Sequence, residues 1–81
     1  MTTITIPEHG GHDPDNMNSA RVHWGYCTVK SFMQLTRADE DTALCDLLAD
    51  LMHYADAHHG KGYFADQLER ACQHFTEETN A

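Results

Sequence analysis

The chain has 81 residues, with 13 Asp and Glu against 5 Lys and Arg, for a formal net charge of −8. That length supports one small domain, whose folding hides only ~60% of the surface its unfolded chain exposes. Arg21, Lys30, Arg37, Lys61 and Arg70 are too few and too scattered to form a basic patch. The balance therefore excludes phosphate-led binding to nucleic acid or to an anionic membrane, and points to basic surfaces as charged partners.

The start of the chain, MTTITIPEHGG, has no cationic segment and no apolar run, so no secretory signal is expected there. Thr2–Ile6 alternates Thr and Ile, a short strand-like pattern with no second segment to pair with. A poorly ordered or extended tail is expected. Residues 7–18 are rich in Gly, Pro, Asp and Asn and read as a loop, so residues 1–18 form a flexible tail and loop ahead of a domain at 19–80. His9, His12 and Asp13 could supply nitrogen and oxygen ligands to a metal, but a mobile loop holds ligands poorly. Asp13 before Pro14 can start a helix, with Asn18 or Ser19 as later caps.

The first helix is predicted over Ser19–Leu35. Val22, Tyr26, Val29 and Met33 form one apolar stripe, and Ala20, Trp24, Cys27 and Leu35 lie on roughly the other side. A helix apolar on both sides needs cover on both sides. Either it is central in the domain, or one side docks a second copy or another protein. Gly25, costly inside a helix, marks a candidate close packing point beside Trp24 and Tyr26.

Thr36-Arg-Ala-Asp39 resembles a capping box at the start of the second helix, and Asp39, Glu40 and Asp41 suit its positive end. That helix should run to about His58, with Gly60 as its C-cap. Leu44, Leu47, Leu48, Leu51 and Ala55 recur at helical spacing and are expected to face the core. Asp46, Asp50 and His53 share the opposite side and are expected to form an exposed acidic ridge. The third helix is predicted from about Tyr63 to Thr79, with Phe64, Leu68, Ala71, Cys72 and Phe75 as its apolar stripe. The expected fold is all-α: a small three-helix bundle, antiparallel and compact, behind its N-terminal tail.

Cys27, Cys45 and Cys72 are odd in number and lack a C-x-x-C, which points to reduced thiols in a cytoplasm. No apolar stretch approaches membrane-spanning length. No nucleophile–base spacing or phosphate loop is evident, so an enzyme is not expected. Asp66, Glu69, Glu77 and Glu78 on the third helix would repel a DNA backbone. A metal-binding or metal-dependent hydrolase module on Asp46, Asp50 and His53, with His74 across the next helix, is the alternative reading. No cofactor is expected.

Asp46–Asp56, DLLADLMHYAD, followed by Leu68–Phe75, LERACQHF, resembles the paired helices of short acidic proteins carried by bacteriophages and plasmids. The resemblance covers the C-terminal half and implies a bacterial host cytoplasm, with no activity attached. Together with the charge, it leads to the expectation of a non-enzymatic interaction protein. Such a protein could inhibit a host nucleic-acid-binding defence complex, in the manner of an anti-CRISPR, by occupying a basic channel. Asp39, Asp46, Asp50, Trp24 and Tyr26 are the expected partner-binding residues, and a homodimer through helix 1 is a further alternative.

Overall fold

A computed structural model of the chain describes residues 5–80. Three helices follow in order: α1 over Asn18–Thr36, α2 over Glu40–His59 and α3 over Tyr63–Thr79. This is the predicted all-α three-helix domain. Thr2, Thr3 and Ile4 of the alternating segment lie outside the described residues, while Thr5 and Ile6 are exposed and outside any helix.

Local chemistry explains most boundaries. Arg37 closes α1 in the left-handed region, at φ 62°, and its N–H reaches the Met33 carbonyl at 2.7 Å. Gly60 ends α2 at φ 89°, where its N–H reaches the carbonyls of Ala55 and Asp56, and Gly62 at φ 85° begins α3. A left-handed backbone costs little at glycine, so two glycines in three residues make the turn abrupt. The expected capping box does not form. Thr36 belongs to α1, where its hydroxyl donates to the Phe32 carbonyl, and the Asp39 side chain makes no capping hydrogen bond.

The helices close a ring instead of running up, down and up. Three-residue connections join α1 to α2 and α2 to α3. The far end of α3 then meets the beginning of α1, where Asn18 Nδ2 donates to the Glu78 carbonyl at 2.7 Å. In an up-down-up bundle, the first and third helices would instead meet start to start. At 1.5 Å per residue, the sides of the ring are about 28, 30 and 25 Å long, and the whole measures 36 × 31 × 20 Å.

The result is more open than the compact packing the apolar stripes led us to expect. The radius of gyration is 14.3 Å, against about 11.7 Å for a compact domain of this length. The buried apolar residues among those described are Phe32, Ala43 and Ala55. Val29 and Met33 of the first α1 stripe are half-buried beside Phe32, whereas Val22 and Tyr26 of the same stripe are exposed. Phe64, Leu68 and Cys72 of the predicted α3 stripe are half-buried, whereas Ala71 and Phe75 are exposed. Among the described residues, nothing beyond its own turn of helix lies within 4 Å of a Cβ built on Gly25, so no other described element packs against it.

The loop before α1 is anchored, although its composition reads as flexible. The His12 N–H donates to the Thr79 carbonyl at 2.9 Å, and His9 sets its ring edge-on to Phe75. Asp13 accepts from the Asn18 N–H at 3.1 Å and so caps the start of α1 from five residues upstream. Arg21 completes the corner. Its guanidinium pairs with Asp15 at 2.7 Å and with Glu78 at 3.3 Å, and also donates to the Asn18 side-chain carbonyl at 2.8 Å. Among the described residues, no buried side-chain nitrogen or oxygen lacks a partner.

Candidate interaction surfaces

Three surfaces carry the residues singled out by the sequence. The first is the polar side of α2. Asp46 and Asp50 line a recess of about 260 Å³ with Phe32, Thr36, Ala38 and Ala49, in the angle between α1 and α2. His53 and Asp56 line a larger groove of about 670 Å³ between α2 and α3, beside Met52, Phe64, Leu68 and Lys61. The acidic line is exposed, as expected, but it runs along re-entrant surface and is not a ridge. Asp39 lies apart from it, exposed at the N-cap of α2.

The second surface is the leucine side of α2, where the expectation of an inner face fails. Leu44, Leu48 and Leu51 are 59%, 42% and 41% exposed. The reason lies in side-chain size at the corners. Ala43 and Ala55 are buried, twelve residues or about 18 Å apart along the helix. Their small side chains let the neighbouring elements approach at the two ends of α2, and the larger leucines between them stand clear. Leu47, on the flank of the stripe, is half-buried.

The third surface is α1. Trp24 and Tyr26 are 55% and 59% exposed. Lys30 extends over the Tyr26 ring, 5.4 Å from its centroid. Cys27 lies 3.5 Å from the His23 ring nitrogen, and Leu35 is exposed at the other end of the helix. Trp24, Cys27 and Leu35 of the surplus apolar side read from the sequence are thus exposed, Ala20 of that side is half-buried, and Tyr26 is exposed on the other stripe.

Chemistry finds little to work with. Among the described residues, no three His, Cys, Asp or Glu side chains come together as a metal ligand set. Asp46, Asp50 and His53 are divided between two recesses, and the groove holding His53 is not lined by His74. His9, His12 and Asp13 are occupied in fixing the loop: the ring of His9 accepts from the Gly11 N–H at 2.9 Å, and Asp13 caps α1. All three cysteines are free.

The clearest electrostatic perturbation is structural. The Arg21 guanidinium hydrogen-bonded to Asp15 holds that carboxyl down at about 2, helped by the Met17 N–H. The same hydrogen bond raises the basicity of Arg21. This pair had no signal in the sequence beyond its charges. No helix among the described residues is long and apolar enough to cross a membrane.

No family model, curated protein or solved structure matches the chain. The likeness to short phage and plasmid proteins therefore rests only on the residues quoted for it.

Proposed function

We propose that this protein is a non-enzymatic interaction protein that binds a partner through α1 and the acidic side of α2. One observation carries the reading: Trp24 and Tyr26 stand more than half exposed on a helix, in a chain with net charge −8. Large aromatic side chains are the common anchors of protein interfaces. Acidic groups around them steer a basic partner and select against acidic ones. In this reading, Trp24 and Tyr26, on opposite sides of α1, supply desolvated contacts to a channel that encloses the helix, while Asp39, Asp46 and Asp50 supply the field. The partner class that fits is a nucleic-acid-binding complex with a basic channel. In a bacterial host cytoplasm this would be a CRISPR effector or a similar defence complex, inhibited by occupation of that channel.

The test is competition. Purified guide-loaded effectors are titrated with the protein, and displacement of their nucleic acid is followed at low and at moderate salt. Wild type should compete, and added salt should weaken it. The triple charge reversal D39K/D46K/D50K should lose at least tenfold while circular dichroism stays helical. Wild-type competition by a folded triple variant at low salt would remove the electrostatic basis of the proposal.

A further inference from the structure

The leucine side of α2 points to a different partner. The chain exposes 6623 Å², about a third more than the roughly 4,900 Å² of a monomer of this mass. Leu44, Leu48 and Leu51, 41–59% exposed, contribute to that excess. A standard dimer interface takes about 800 Å² from each subunit, so the excess is large enough to supply one.

The seam has the pattern that helix pairing requires. Leu44, Leu48, Leu51 and Ala55 follow one another at spacings of four, three and four residues, the a/d repeat of a two-helix interface. The positions flanking this seam are Cys45, Leu47, Met52 and Tyr54, none of them charged. Between Thr42 and Ala55 the acidic residues are Asp46 and Asp50, about 165° and 125° around the helix from the mean direction of Leu44, Leu48 and Leu51. A pairing surface in a chain of charge −8 must keep its carboxylates apart, and this one does.

We propose that the leucine side of α2 binds the same side of a second copy, forming a symmetric dimer with the two α2 helices antiparallel. A two-fold axis between Leu48 and Leu51 sets each Leu48 against the partner's Leu51, and the seam ends where Ala55 is already covered. Charge selects the direction. An antiparallel pair sets the two acidic starts of α2, Asp39, Glu40 and Asp41, at opposite ends of the seam. A parallel pair would crowd the two acidic starts together. The dimer leaves Trp24, Tyr26, Asp46 and Asp50 free and shares only Asp39 with the function proposed above, so W24A and L48E tell the two apart.

Sedimentation of the full chain at micromolar to millimolar concentration tests the idea. The mass should be twice 9.2 kDa. L48E should weaken association by about a hundredfold or more, because it would bury an unpaired charge at the centre of the seam, and should sediment as a folded monomer. W24A should remain dimeric. A monomeric wild type overturns the proposal, as does a folded L48E that stays dimeric, or a dimer lost on W24A and kept on L48E. Should L48E unfold, L48C in a cysteine-free background decides the matter. A short bis-maleimide should bridge two chains through position 48, and failure to do so overturns the proposal.

Discussion

At the corner where α1 begins and α3 ends, polar groups are matched one to one. Asn18 donates to the carbonyls of His12 and Glu78, His12 donates to the Thr79 carbonyl, and Arg21 bridges Asp15 and Glu78. Midway along α2 the situation is reversed. Leu44, Leu48 and Leu51 have their backbone bonds within the helix, yet their side chains stand 41–59% exposed. Hydrogen bonds are directional and saturate within the chain, whereas apolar area is only hidden when something covers it. The corner therefore reads as finished, and the α2 face as one half of an interface. A net hydrogen bond contributes about 1 kcal/mol, so the corner can hold the ring shut without a large core.

The strongest way to break the corner is Gly10→Ala. A Cβ there would come within 2.5 Å of the Thr79 carbonyl oxygen and would also collide with the Asn80 side chain. The strand of loop that carries His12 would have to move away from α3, taking its bond to Thr79 with it. Destabilisation of about 1–3 kcal/mol is expected, read as a lower urea midpoint at unchanged slope. An unchanged midpoint would show that the loop does not hold the ring closed. The same substitution should leave the seam of α2 intact, so a folded G10A should still self-associate.

A smaller effect comes from acid. Asp15 is lowered from its ordinary 3.8 to about 2 by Arg21. A depressed carboxylate contributes stability in full above its unfolded value and loses it as pH falls through its folded value. The contribution of the Asp15–Arg21 pair should therefore be complete above about pH 4 and gone near pH 2. Thermal midpoints of wild type and D15N should differ at pH 5 and converge as the pH falls across that window. Because the pair is partly exposed, the difference is modest and shrinks in salt. Equal midpoints at pH 5 and low salt would show that the pair is a surface contact without consequence for the corner.

How much of this was legible depends on the range of the interaction. The Gly60–Gly62 turn and the one-sided stripe of α3 are local signals, and α3 forms over Tyr63–Thr79 as read. The corner is not local: Asn18 and Glu78 are sixty residues apart, and no spacing rule links them. Periodicity placed the leucines of α2 opposite Asp46, Asp50 and His53, and they are opposite. It could not say which side the other helices would take, because that was decided by the size of Ala43 and Ala55 at the ring's corners. The surplus apolar character of α1 was legible from its mixed stripes. Trp24 and Tyr26 are exposed because α2 meets α1 at the end that carries Phe32 and Met33, and α3 reaches only its start.

Gly25 gives the mildest test and separates the two kinds of region most cleanly. Its backbone is helical and, among the described residues, nothing beyond its own turn of helix approaches its missing Cβ. In the free protein, glycine there only adds conformational freedom to the unfolded state. Gly25→Ala should therefore stabilise the chain by about 0.5–1 kcal/mol, visible as a rise in thermal midpoint. Loss of stability would mean that a neighbouring element packs against that turn of α1. The substitution lies on the helix of Trp24 and Tyr26 and away from the leucines of α2. Self-association through α2 should therefore follow wild type, whereas a partner whose backbone crosses α1 closely at this turn would bind G25A more weakly than wild type. A more stable chain that loses a partner would show that this turn is kept open for something outside the molecule.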